Sequence, residues 1–258
     1  MTGAVDGRVA VVTGASRGVG RGIAVTLAAG GAAVAVNYRK DSDAADEVVR
    51  QIRAGGGRAH AFQASIDDRA AVDAMVDSIH GHFGPVSIVV SNAGTASKGA
   101  GVADTPLSQF ESQLAVHALG PISLVQALLP DLRAGGRGDI VMISSNTVAT
   151  TPAGAAPYTM AKAAMETAVM TLAREERRHG IRANIVAPGL VDTDMGRRLV
   201  RATTGDELGE NSRDFPFGRV CTPEDIAGVV SWLVSDSASY VTGQKIAVDG
   251  GGPGVSIF

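Results

Sequence analysis

Cysteine is almost missing from this chain, and the lone Cys221 rules out any disulfide within it. Aromatic residues make up only 4% of the sequence, and the formal net charge of −3 leaves no excess of positive charge. Without a basic field or a run of Lys/Arg, no nucleic-acid partner is expected. No apolar run approaches the roughly 20 residues needed to span a bilayer. The start, M-T-G-A-V-D-G-R, lacks the charged-then-apolar layout of a signal peptide. The expectations are therefore a cytoplasmic location, no membrane partner and no metal site.

The chain does have Ala, Val and Gly in abundance within a 45% hydrophobic composition. Short apolar runs recur at Val9–Val12, Ala33–Val36, Ile88–Val90, Ile140–Ile143, Ile185–Ala187 and Ile246–Val248. Most are continuously hydrophobic, as in strands buried on both faces. Between them lie helical stretches, the clearest carrying Val72, Met75, Val76, Ile79 and Phe83 at helical spacing. This alternation predicts an α/β fold: a single-domain, Rossmann-type, doubly wound parallel sheet with helices on both faces and ligands at the carboxyl ends of the strands. The irregular stretch Leu190–Phe217 is long enough to predict a substrate lid.

Directly after the first run comes T-G-A-S-R-G-V-G, Thr13 to Gly20, opening a helical stretch through Ile23 and Leu27. Glycine there lets the backbone approach a pyrophosphate at a helix N-terminus, where free N–H groups and the dipole favour negative charge. A plain glycine-rich turn is the competing reading, weakened by its place after the first strand of a βαβ series. The glycine spacing is joined by S-N-A-G at Ser91–Gly94, I-S-S ending at Ser145, Y-T-M-A-K at Tyr158–Lys162, A-P-G at Ala187–Gly189, and V-T-G-Q…V-D-G-G near the end. Together they resemble the short-chain dehydrogenase/reductase family over nearly the whole chain. Pro188–Met195, P-G-L-V-D-T-D-M, is most similar to the 3-oxoacyl-[acyl-carrier-protein] reductase branch.

An NAD enzyme usually places a carboxylate after strand two for the adenosine ribose, whereas NADP needs positive charge for its 2′-phosphate. Here Tyr38 takes the acidic position, Arg39 follows it, and Arg17 adds a second guanidinium from the glycine loop. NADP(H) is therefore the expected cofactor, with Arg39 as an ordinary solvated residue the alternative. The resemblance implies further cofactor contacts from Gly14, Ser16, Gly18, Val19 and Gly20 in the first loop. It also implies Ser65 and Ile66 where the family commonly has an adenine-binding Asp, and Asn92, Ala93 and Gly94 beside the adenosine ribose. Pro188, Gly189 and Val191 follow, with Thr193 against the nicotinamide carboxamide. An Asn in a tight turn often serves only the backbone, which is an equal reading for Asn92.

Tyr158 and Lys162 are four residues apart and share one helical face, and Pro157 suits a first helical turn. A tyrosine near its free pKa of about 10 holds its proton too tightly to work both ways at neutral pH, and a neighbouring ammonium is expected to lower it. Ser145 ends a predicted buried strand, at the ligand edge of the sheet. The resemblance implies that Ser145 binds the substrate oxygen, Tyr158 is the acid/base, and Lys162 tunes it and holds the nicotinamide ribose. A strand-end cap is the plainer reading of Ser145.

Where the family has Asn in V-N-x-x-G, whose backbone carbonyl holds a relay water, this chain has V-H-A-L-G and His117. With Leu107, Phe110 and Leu114 at helical spacing, His117 reads as a packing residue on a buried stripe. Pro121, four residues on, lacks the N–H that would bond the His117 carbonyl and so leaves it free for such a water.

The expected function is an NADPH-dependent carbonyl reductase or alcohol dehydrogenase, with 3-oxoacyl thioesters one substrate class and free small ketones, steroids or quinones the other. A catalytically idle NADP(H)-binding regulator is the rival from another class. One domain over residues 1–258 is expected, with the cofactor half at about 8–145 and the catalytic half at about 145–258. Arg133, Arg137, Arg177 and Arg178 are candidates for docking an acidic carrier protein. The resemblance implies a homo-oligomer, dimer or tetramer, assembled through the helices around Pro106–Leu129 and Tyr158–His179 and the C-terminal tail.

Overall fold

The computed structural model describes residues 5–96, 99–205, 208 and 215–252. Its strands are β1 (Val9–Val12), β2 (Ala33–Tyr38), β3 (Arg58–Gln63), β4 (Ile88–Ser91), β5 (Gly138–Ile143), β6 (Ile181–Pro188) and β7 (Lys245–Val248). They form one parallel sheet in the order β3-β2-β1-β4-β5-β6-β7. The order reverses between β1 and β4, which opens a crevice at the carboxyl edge there. β3, R-A-H-A-F-Q, is missing from the apolar runs because it is an edge strand whose ends, Arg58 and Gln63, are exposed and whose His60 and Ala61 are only half-buried.

The helices are α1 (Gly18–Ala29), α2 (Ser42–Ala54), α3 (Arg69–Phe83), α4 (Leu107–Leu114), α5 (Gly120–Ala134), the single turn α6 (Thr147–Thr150), α7 (Ala156–Glu176), α8 (Asp194–Thr204) and α9 (Pro223–Leu233). Alternation along the strands sends side chains to two cores. Ala10, Val12 and Val34 meet Ile23, Leu27, Val48 and Ile226 of α1, α2 and α9. Val11, Val89 and Ile140 meet Val72, Ile79, Leu124, Leu128 and Met165 of α3, α5 and α7.

Two expectations need correction. Leu190–Phe217 is not irregular throughout: Thr193 accepts a hydrogen bond from the Gly196 N–H and caps α8. The rest of that stretch, 206–207 and 209–214, lies outside the described residues, as do residues 253–258 of the tail. The second concerns apolar length. The helix expected around Pro106–Leu129 runs on to 28 residues, Leu107–Ala134, apolar and long enough by length and composition to cross a membrane. In the fold its Leu124, Leu128 and Leu132 are core residues.

At the amino edge, buried Asp139 gathers Arg8 at 2.6 Å, Arg182 at 2.5 Å and Arg137 at 3.6 Å. Arg8 also donates to the Ser87 and Val234 carbonyls, tying the starts of four strands to the end of α9. Burial opposes the charge on both partners, holding Asp139 above and Arg8 below their ordinary values. Such a cluster contributes little net stability while intact, yet removing one partner strands the others. Asp139→Ala is expected to cost about 3–5 kcal/mol, read as an earlier urea midpoint with unchanged slope.

Candidate active site

Each loop at the carboxyl edge brings one part of the site. After β1 the chain turns at Gly14, whose φ of +61° suits glycine and whose missing side chain lets Ala93 sit against it. Gly20 is held as tightly, since a Cβ there would lie 2.5 Å from Asn92 Nδ2 and against the Gly14 carbonyl. α1 starts at Gly18 with no side-chain cap at Arg17 and no acid in its first turn. Its first N–H groups and positive dipole end thus fit an anion. Ser16 and Val19 are half-buried in this cradle.

Two polar residues unremarked in the sequence shape it. The hydroxyl of buried Thr13 accepts from the N–H groups of Asn92 at 2.9 Å and Ala93 at 3.0 Å, and Asn37 Oδ1 accepts from Gly14 N–H at 3.2 Å. Asn92 Nδ2 returns bonds to the carbonyls of Thr13 at 2.9 Å and Gly14 at 3.2 Å, so its side chain serves the backbone. An Asn inside the buried run A-V-A-V-N-Y was the available signal.

Tyr38 ends β2 half-buried and Arg39 is exposed. Arg17 is ion-paired to Asp41, the N-cap of α2. Ser65 donates to Asp67, and Ile66 is buried with its carbonyl against Gly120. Pro188 closes β6, Gly189 donates to the Val248 carbonyl, Val191 bridges to Cys221, and the Thr193 methyl lies over Gly18.

The catalytic candidates meet where α7 crosses the end of β5. Ser145 acts on the Tyr158 phenol, and its Oγ accepts from the Thr147 N–H at 3.2 Å and its hydroxyl at 3.0 Å. Ser145 is thus both a turn residue and a partner of the phenol. Lys162, 5% exposed, donates to the Ile143 carbonyl at 2.6 Å, with its ammonium 5.7 Å from the Tyr158 ring centroid.

The expected lowering of Tyr158 does not occur. Burial pushes its phenol up to about 12, opposed by Ser145, while the Lys162 ammonium donates to the Ile143 carbonyl. Part of the tyrosine remains exposed, so solvent moderates that rise. Burial takes Lys162 down to about 8, with Glu166 acting against the fall.

His117 is 2% exposed, but Leu107 is 77% exposed, so the two do not share a buried stripe. Leu107 opens α4, whereas His117 lies in a π-turn over Ala115–Leu119, closed by the Gly120 N–H on the Ala115 carbonyl. Pro121 sits just beyond it, and a proline clashes with the carbonyl four residues back, here that of His117. The imidazole stands edge-on to Tyr158, with ring centroids 4.9 Å apart. Its Nε2 lies 2.9 Å from the Thr95 carbonyl and 3.2 Å from the Thr95 N–H, so it meets a donor and an acceptor of the same residue, and Nδ1 has no partner among the described residues. Burial, then the Lys162 charge, lowers it to about 3.

The four arginines proposed for docking are at the wrong edge. Arg133 and Arg137 flank the end of α5 and the start of β5, and Arg177 and Arg178 lie between α7 and β6, all opposite the Ser145 end. Arg133 is paired with Glu176, and Arg137 with Asp236 and Asp139.

A family model described as "Enoyl-(Acyl carrier protein) reductase" matches residues 14–252. The chain belongs to the short-chain dehydrogenase/reductase family. It is 39% identical to versicolorin reductase from Emericella nidulans over 256 residues, covering 96% of both chains. It is 36% identical to a 3-oxoacyl-[acyl-carrier-protein] reductase of Staphylococcus aureus over 248 residues, covering 94% of this chain and 96% of that one. A solved 7α-hydroxysteroid dehydrogenase, in complex with NADH and 7-oxo glycochenodeoxycholic acid, superposes with a TM-score of 0.87 at 31% identity, covering 96% of this chain and 95% of that one. Membership makes this chain an oxidoreductase of carbonyl and hydroxyl groups that uses a nicotinamide cofactor.

A neutral imidazole has a kinetic consequence. Turnover in the reductive direction is expected to hold through neutral pH and to fall above about 8 as Lys162 loses its proton, with no inflection near the free histidine value of about 6.5. An inflection there, abolished by His117→Asn in a pH–rate profile, would overturn the neutral assignment.

Proposed function

We propose that the protein is an NADPH-dependent carbonyl reductase. The observation that carries this reading is the meeting of Ser145, Tyr158 and Lys162 at the same sheet edge as the Gly14–Gly20 cradle. The cradle, Thr193 and Lys162 would hold the nicotinamide cofactor, which when bound supplies or accepts the hydride. Ser145 and Tyr158 hydrogen-bond the substrate oxygen, and Tyr158 gives it the proton as the carbonyl becomes an alcohol. A phenol held near 12 stays protonated at neutral pH but is a weak acid, so giving up that proton depends on stabilising the phenolate. Lys162 steadies the phenolate left behind and orients the ribose. Tyr158→Phe is expected to preserve the fold and NADPH binding while turnover falls by roughly 10²–10⁴. Parallel cofactor titration and steady-state rates check this, and near-normal turnover would remove Tyr158 from the role.

Arg39, the lack of a carboxylate at Tyr38, and Arg17 support NADPH over NADH, although Asp41 already shares Arg17. That leaves Arg39 as the main discriminator. Arg39→Asp is expected to reverse or greatly weaken the preference, by removing a phosphate partner and adding a ribose acceptor. Equal kcat/KM for both cofactors in the unmodified protein would sink this assignment.

The relocation of the four arginines favours a free ketone over a carrier-bound 3-oxoacyl thioester. Exposed Met195 and Leu199 on α8, beyond the Thr193 cap, support an apolar group beside the carbonyl. Assembly as a homo-oligomer belongs to the same reading, supported by the exposed apolar residues Leu107, Leu119 and Met160 on α4, the π-turn and α7. A panel of 3-oxoacyl thioesters, diketones, steroids and quinones, followed by loss of NADPH absorbance, ranks these classes. Turnover of none would favour an NADP(H)-binding regulator.

A further inference from the structure

A third residue of α7 continues the line of Tyr158 and Lys162. Glu166 lies one turn beyond Lys162, on the same helical face. Its carboxylate accepts from the Ser144 hydroxyl at 2.5 Å and pairs with Lys245 of β7 at 2.8 Å. Two successive turns of one helix therefore grip two successive residues at the end of β5, Lys162 on Ile143 and Glu166 on Ser144, next to the place where Tyr158 meets Ser145.

We propose that Glu166, poised between Lys245 and Ser144, is a positioning residue that keeps Lys162 charged and seats Ser145 for the reaction. The charge arrangement supports this. Lys162 is almost fully buried with a single hydrogen bond, to a neutral carbonyl, and burial disfavours its ammonium. The groups around it are Tyr158 and Glu166 on its own helix, the neutral imidazole of His117 from the π-turn, and Lys245 behind Glu166. Glu166 is the one anion that acts on it among the described residues. Lys245 draws on the same carboxylate, so the two lysines compete for one negative charge. Through Ser144, the carboxylate also fixes the residue that precedes Ser145.

The competition gives a signature that bracing alone would not. Removing the charge while keeping an acceptor for Ser144, by Glu166→Gln, makes the Lys162 ammonium easier to deprotonate. Removing the competitor, by Lys245→Met, makes it harder. The two variants move one titration in opposite directions.

The inference rests on the reductase reading only for the role of Lys162, so the test reads its charge directly. The chain has four lysines, Lys40, Lys98, Lys162 and Lys245, few enough to resolve with ¹³Cε-lysine labels by NMR. The Lys162 signal is assigned with Lys162→Met and its midpoint, about 8 in the unmodified protein, is followed in each variant. Glu166→Gln is expected to lower the midpoint by about one unit and Lys245→Met to raise it. The alkaline limb of reductive turnover should shift in parallel. An unmoved midpoint, or shifts of the same sign, would overturn the proposal and leave Glu166 a brace. If Glu166→Gln fails to fold, the upward shift in Lys245→Met decides alone. Shifted midpoints in a protein that turns over no ketone would uphold the inference and count against the reductase reading.

Discussion

The grip of α7 on the end of β5 is the constraint on which the site depends. A helix crossing a sheet edge is free to slide or rotate unless specific bonds fix its phase. Here Lys162 on the Ile143 carbonyl and Glu166 on the Ser144 hydroxyl fix it in the two turns that follow Tyr158. Because β5 is central and pairs with β4 and β6, the position of Tyr158 is referred to the whole sheet. The same sheet carries Gly14 at the end of β1, two strands away, so cofactor cradle and proton donor share one rigid frame. A misplacement of about 1 Å between such groups is enough to cost two orders of magnitude in rate.

The cradle depends on a smaller constraint of the same kind. Thr13, Asn37 and Asn92 belong to three neighbouring strands, and their side chains exchange bonds with one another's backbone where the ladder has ended. Those bonds replace the pairing that the strands lose as they diverge at the switch point. They hold Ala93 against Gly14, leaving no room for a side chain there. Specificity for the anion then comes from geometry already set before anything binds, and its sign comes from the α1 terminus.

Much of this was legible in the sequence, and the exceptions have physical causes. Continuous apolar runs fix buried parallel strands, so six strands were visible and edge strand β3 was not. Tyr158, Lys162 and Ser145 were readable because a four-residue spacing and a strand end place side chains without knowledge of packing. The direction of the Tyr158 shift was not readable, since it depends on how deeply the phenol is buried. The exposure of Leu107 was hidden for a different reason, because Leu107 is the first residue of α4 and spacing alone does not tell where along a helix burial begins. Glu166 could have been found as the next step of the Tyr158–Lys162 spacing, but Ser144 and Lys245 approach it from other strands.

The π-turn also explains how the chain tolerates histidine beside the tyrosine. An imidazole is wider than a carboxamide and must be paid out of space nearby. Gly94 supplies that space, because a Cβ there would lie 2.6 Å from His117 Cε1. The ring then ties the loop after β4 to the helix through Thr95, helped by Gln113 Nε2, which donates to the Thr95 hydroxyl at 3.1 Å. With its basicity suppressed to about 3, the ring is a poor carrier of protons at neutral pH. A relay of protons toward Lys162 on this side needs another acceptor, and the carbonyl of His117, whose α-helical donor Pro121 cannot supply, is the one we propose.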